Sequence, residues 1–342
     1  MPKLTVKLLA VAVATWMACA AYTAWWNPEI HFYTQLSRRQ DEWSQKMDRE
    51  YGHKVVVFGG SSCMFSINGE QMLEKYGIPT VNRGLGAGVG VTVMTLHALK
   101  DLREGDTLIV SVEPGLLTEP FAIPDEGVQL SFSTGHFDWA YRAQLGLPGH
   151  PVLPAILALR PGSFHAFTLV GKLIHGRPLY AYTIAGTSRS GLVSTPYRPH
   201  GTQWPGHGPY LSEDARQLLG ALRDWCAQRK VRVAYSLPWA FAETEQVEEC
   251  KRKNQDILLQ IANFIPVLKD AQWGVQPQAD LYADSTMHLT AEGSRLRTDE
   301  LGQAVKQWDV WSAEELQLIV DRRSEDKPTM RQSASVPIHS AN

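Results

Sequence analysis

The chain opens on an uninterrupted apolar run. Residues 8–26, LLAVAVATWMACAAYTAWW, hold no charged side chain, and as a helix these 19 residues nearly cross a bilayer core of ~30 Å. Lys3 and Lys7 precede the run, which assigns the amino terminus to the cytoplasm. Trp25 and Trp26 close it where aromatic rings favour the membrane interface. The pattern predicts a signal anchor over 1–26, single-pass in the inner (cytoplasmic) membrane, with the bulk of the chain periplasmic or otherwise extracytoplasmic. A second reading of the same residues is a cleaved secretory signal, because Ala18-Cys19-Ala20 has the small-x-small form that cleavage needs. Lipoprotein processing at Cys19 fits poorly, since Trp16 is bulky where such sites carry a small aliphatic side chain.

Polar and aromatic positions with helix-like charges fill 27–52, which reads as a stalk. From 53 onward short apolar runs alternate with longer periodic ones. Strands are predicted at 54–58, 79–82, 106–112, 231–237 and 265–268, and helices at 68–76, 91–103, 212–230, 243–263 and 290–308. Ser212 and Thr290 stand where N-caps belong. The alternation predicts an α/β fold over 53–310, a three-layer α/β/α sandwich around a parallel sheet. It lapses over about 121–210, a stretch rich in Pro, Gly and aromatics that reads as an insertion or lid. From 311 to 342 the chain turns amphipathic and then polar, predicting a tail that is disordered from Arg323.

Composition and charge change this picture in a few places. The 342 residues carry 33 Lys plus Arg against 35 Asp plus Glu, a net charge of -2, which gives non-specific nucleic-acid binding no electrostatic basis. The charge is unevenly spread. Residues 139–210 hold no acid but carry Arg142, Arg160, Lys172, Arg177, Arg189 and Arg198, a bias that suits an anionic polymer or lipid headgroups. Four cysteines cannot build a disulfide scaffold. In an exported chain Cys226 and Cys250 can pair, or can be two ordinary thiols on separate helices, and Cys63 reads as a packed residue. No Cys/His group has zinc spacing, and the glycines at 84, 86, 88 and 90 fail the G-x-G-x-x-G register, so no metal or cofactor is expected.

Three segments carry the candidate chemistry. At 55–67 a buried strand runs into Gly59-Gly60-Ser61-Ser62, a turn that exposes a serine at the edge of an α/β sheet where ligands bind. Asn82-Arg83-Gly84, at the end of the next strand, brings a backbone N–H to the same edge. Asp284 and His288 lie four apart in a loop before the last helix, a spacing that lets the carboxylate hold one ring nitrogen while the other faces a serine.

Gly60-Ser61-Ser62, Asn82-Arg83-Gly84 and the run Asp284-x-x-x-His288-Leu289-x-x-x-Gly293-x-x-x-Arg297-Thr298 together resemble the SGNH/GDSL hydrolase superfamily, over about 55–120 and 211–306. The last run is especially similar to membrane-anchored branches, the DltD-like D-alanine transfer proteins and the O-acetyltransferases of exopolysaccharide assembly. The resemblance implies Ser62 as nucleophile, His288 as base, Asp284 as its orienter, and the backbone N–H groups of Ser62 and Gly84 as oxyanion donors. Ser61 is the rival nucleophile, and Asn82 and Glu113 are further candidates for substrate contact. The chain departs from the family in two places. Where these hydrolases carry Gly-x-Asn-Asp it reads Ser111-Val112-Glu113-Pro114, and Glu113 donates only when protonated. Losing one oxyanion donor typically costs ~10²–10³ in rate. The Asp–His gap is also one residue longer than is usual.

The expected function is that of an envelope-facing serine acyltransferase or esterase acting on O-acyl groups, acetyl by analogy, of a cell-surface polysaccharide. A multi-spanning membrane acyltransferase is the expected supplier of the group. The departures fit equally a degenerate carbohydrate-binding or scaffold protein on the same fold, and signal cleavage would give a secreted lipase-like esterase.

Overall fold

A computed structural model of the protein describes residues 2–325 apart from 123, 142–144, 146–150, 161–162 and 196–205. Arg142, Arg198 and the tail beyond 325 therefore lie outside the described residues. The apolar run forms α1 (Pro2–Trp25), long and apolar enough to cross a membrane. Asn27 then caps α2 (Pro28–Tyr51), its side chain accepting from Glu29 N at 3.2 Å.

The alternation of short and long runs produces a central sheet of six strands: β1 (Val55–Phe58), β2 (Thr80–Asn82), β3 (Thr107–Val110), β4 (Arg232–Tyr235), and, after the two-residue β5 (Ala240–Phe241), β6 (Val267–Leu268) and β8 (Val310–Trp311). Their spatial order is β2-β1-β3-β4-β6-β8, parallel except for β8, which runs antiparallel to β6. β5 pairs in parallel with β7 (Val275–Gln276) as a separate ribbon. β1 is apolar at every position, and β3 after Thr107, because both faces of these strands are covered. Val56, Phe58, Leu108 and Val110 face one side, where they meet α5 (Val91–Leu99), α11 (Glu213–Gln228) and α12 (Val247–Ala262). Val55, Val57 and Ile109 face the other, against α4 (Gly69–Tyr76) and α13 (Ala291–Gln307). The fold is thus mixed α/β, a mostly parallel sheet with helices on both sides. Ser212 and Thr290 cap α11 and α13 as their spacing predicts, accepting from Ala215 N at 3.1 Å and Gly293 N at 3.3 Å.

Two expectations need correction. The stretch 27–52 is no projecting stalk. Ile30, Tyr33, Leu36, Trp43 and Met47 recur at helical spacing and are buried, so α2 lies on the body and closes the edge at β2. Trp43 Nε1 donates to Thr80 O at 2.9 Å across that junction. Arg323 belongs to α14 (Ala313–Glu325) and donates to Asp256 and Arg252 O, so order extends past 323. Cys226 on α11 and Cys250 on α12 are both buried and free. Between α5 and α11, besides a turn of helix α3 (Ser61–Met64) upstream, the chain adds α6 (Pro114–Leu117), α7 (Asp125–Ser133), α8 (Asp138–Tyr141), α9 (Val152–Ala158) and α10 (Ser163–Ile174), the last four within the predicted insertion.

Candidate active site

The apolar run of β1 ends at Phe58, and two glycines turn the chain into α3 beside the exit of β3. Glycine is required at 60 because a Cβ there would fall 2.4 Å from Glu113 Oε2. The carboxylate of Glu113 accepts from two backbone donors of this turn, Gly60 N at 3.0 Å and Ser62 N at 2.9 Å. Charge at the open N–H groups of a helical turn is favourable. The expected oxyanion donor at Ser62 is therefore occupied by the Glu113 carboxyl group. The other expected donor, Gly84 N, is occupied too: it donates to Asn82 Oδ1 at 2.8 Å. Gly84 is glycine for a packing reason, since a Cβ would meet Met64 N at 2.3 Å.

The two serines differ in where α3 points them. Ser62 is 1% exposed, and its Oγ is buried with no hydrogen-bond partner. Ser61 is partly exposed and lines a cleft of about 540 Å³ with Glu113, Pro114, Leu237, Pro238 and Met287. A nucleophile must meet substrate, so the burial of Ser62 argues against the role expected for it and favours Ser61. Asn82 does not face substrate either. It is fully buried, and its amide donates to Cys63 O at 3.0 Å and Ile67 O at 2.8 Å, tying β2 to the serine turn.

Asp284 and His288 come together as their spacing predicts, with His288 Nδ1 and Asp284 Oδ1 2.8 Å apart. With Nδ1 carrying the proton toward the carboxylate, Nε2 presents a lone pair. The imidazole stacks on Phe65 with ring centroids 4.2 Å apart. Phe65 lies four residues after Ser61, on the same face of the turn. Met287, next to His288 in sequence, shares the cleft with Ser61. Among the described residues no hydrogen bond joins His288 to either serine; catalytic hydrogen bonds in free enzymes are often long or poorly aligned and tighten when substrate binds.

The motif after His288 holds this arrangement in place. Ser294 Oγ and Thr298 Oγ1 donate to Ser66 O at 3.0 and 3.2 Å, and Asn68 N donates to Thr298 Oγ1 at 2.9 Å. Arg297, buried, donates to Ser236 Oγ and Leu237 O at the end of β4 and pairs with Glu300. Glu300 is half-buried beside Asp270, and loss of solvent pushes its carboxyl up to about 7.

Sequence reasoning missed Tyr182, whose hydroxyl donates to Asp284 Oδ2 at 3.0 Å and whose ring packs on Phe65. Nothing in the Pro- and Gly-rich stretch around it signals that contact. Hydrogen bonding, from His288 first and Tyr182 as well, holds the Asp284 carboxyl below the usual range. For such an acid the stabilisation is fully present above the ordinary carboxylate pKa of ~3.9 and is lost as pH falls through the depressed value. Tyr182→Phe is expected to move that loss to higher pH and to lower turnover by about tenfold or more, one hydrogen bond to a charged group being worth ~1.5–3 kcal/mol. The acid limb of a pH–rate profile checks this, and an unmoved limb would remove Tyr182 from the site. No protein-family model, curated protein or solved structure matches the chain.

Proposed function

We propose that the chain is a membrane-anchored serine esterase or O-acyltransferase of SGNH type that faces the envelope and acts on O-acyl groups of a surface polysaccharide. The observation that carries this reading is the Asp284–His288 pair, 2.8 Å apart and stacked through Phe65 on the turn that bears Ser61 at the carboxyl edge of a parallel sheet. In it Ser61 is the nucleophile, His288 the base and Asp284 the group that orients the base. The backbone N–H of Ser61 opens α3, where intrahelical partners are missing, and serves as oxyanion donor. The apolar lining of the cleft, with Leu116, Leu237 and Met287, suits a short acyl chain. Retention of α1 fits the anchored form, because Ala20 and Thr23 are buried against the body and a cut after Ala20 would strip part of that contact. Labelling the membrane-bound protein with a fluorophosphonate, then mapping the labelled peptide, tests the proposal. Adduct on Ser61 that disappears in His288→Ala supports it, and labelling indifferent to His288 defeats it.

One observation favours the degenerate binding protein instead: Glu113 fills the Ser62 N donor expected to face an oxyanion. The two readings separate in Glu113→Gln, which removes the negative charge and leaves one amide acceptor for two N–H donors. A latent esterase is expected to gain about tenfold or more in kcat/KM on p-nitrophenyl acetate, since a single oxyanion donor is worth ~10²–10³. A binding protein gains nothing.

A further inference from the structure

We infer that α9 and α10 form an apolar platform sunk into one leaflet of the bilayer that α1 crosses, so that the folded body sits on the membrane instead of hanging from it. This rests on reading α1 as a membrane span. The depth is set by two hydrogen bonds between distant parts of the chain. Trp16 Nε1 donates to Ile156 O at 2.9 Å, and Thr23 Oγ1 donates to Leu159 O at 2.8 Å. Trp16 lies nine residues before Trp25, about 14 Å along a helix, which is near the middle of a ~30 Å hydrocarbon core. Where α1 spans, α9 is drawn to that depth with it. Ala20, Ala155, Ala158 and Leu159 share one buried apolar cluster with Val128 of α7 and Ala140 of α8, so α1 and α9 meet through the same packed body.

The outward faces agree with that placement. Leu153 and Leu157 on α9, and Phe167 (78% exposed), Leu173 and Ile174 (75%) on α10, are bare apolar side chains, as are Leu8, Leu9 and Val13 on α1. Such a surface exposed to water would be a liability. Against acyl chains it is the ordinary outer surface of an interfacial helix. Polar groups flank it at headgroup level. Arg160 follows Leu159, which is bonded to Thr23 close to the tryptophan end of α1. Lys172 acts on Glu29 of α2, beyond that end. Both are cations, in a stretch without a single acid, and suit anionic headgroups. The platform also reaches the site. The chain leaving α10 supplies Tyr180, which bonds Tyr33 of α2 at 3.2 Å, and then Tyr182, which holds Asp284.

Depth-dependent fluorescence quenching on the full chain tests this. In a Cys19→Ser background, with the other three cysteines buried, Val13→Cys, Phe167→Cys, Ile174→Cys and Leu318→Cys each place an environment-sensitive dye on an exposed position. The proteins are reconstituted in vesicles of phosphatidylcholine and phosphatidylglycerol with and without acyl-chain-brominated phosphatidylcholine. Dyes at 13, 167 and 174 should shift to the blue and lose most of their emission to brominated lipid, while the dye on α14 at 318 loses none. Quenching at 13 without quenching at 167 and 174 overturns the platform, leaving that face for a protein partner. An unquenched dye at 13 overturns both the platform and the membrane span on which it depends.

Discussion

Ser61→Ala is expected to abolish ester turnover, by roughly 10⁴-fold or more, while Ser62→Ala leaves turnover within severalfold of the parent. The two residues are neighbours, and chemistry alone does not choose between them. Burial does. The Ser62 hydroxyl is enclosed with no partner, so removing it deletes an unsatisfied polar group. That change should be neutral or should raise stability by up to about 1 kcal/mol. Ser61 borders the cleft on the face of α3 that carries Phe65, and the imidazole rests on Phe65. Kinetics on p-nitrophenyl acetate and denaturant unfolding of both variants decide the matter. The reverse pattern, with Ser62→Ala dead and Ser61→Ala active, would require α3 to rotate on binding and would sink the assignment. Loss of neither activity would remove the serine mechanism altogether.

The distinction between these serines was out of reach of the sequence for a physical reason. A strand buried on both faces announces itself as a continuous apolar run, as Val55 to Phe58 and Leu108 to Val110 do. The Asp284–His288 pair was legible because its residue types and spacing sit at a predicted loop before a helix. Which way a single turn of helix points adjacent side chains depends on packing from elsewhere. Here that packing comes from Asn82, which fastens Cys63 O and Ile67 O, and from Glu113, some 51 positions from the amide it caps. The burial of α2 was half visible. Its apolar positions have helical spacing, but Gln40, Ser44 and Thr34 are buried with them and dilute the stripe into something that reads as solvated. The antiparallel β8 is two residues long, too short for any period. Tyr182 reaches Asp284 across 102 positions from a stretch with no regular pattern.

Arg83→Ala is expected to cost about 3 kcal/mol of stability and to weaken the site with it. Arg83 is fully buried at the end of β2 and pairs with Asp41 of α2 and with Asp101 after α5. It also approaches His97 Nε2 at 3.4 Å, and burial together with the charge of Arg83 pushes the His97 imidazole well below its ordinary value, so it stays neutral. Gln40 Oε1 lies 2.9 Å from that same nitrogen. One guanidinium therefore links α2 and α5 to the segment that holds the serine turn. Breaking a buried ion pair by deleting one partner typically costs ~3–5 kcal/mol. The lower end applies, because Asp41 and Asp101 each keep about a third of their side-chain surface in water and can rehydrate. Arg83→Lys should recover little, since a single ammonium cannot bridge two carboxylates on separate elements with the geometry of a planar fork. Because Arg83 sits between Asn82 and Gly84, loosening it frees the amide that anchors Cys63 O, and activity should fall at temperatures where the protein is still folded. Urea unfolding of both variants, with turnover measured below the transition, is the check. A change under about 1 kcal/mol in Arg83→Ala would mean that α2 is held by its apolar stripe alone and that its closure of the sheet edge owes nothing to charge.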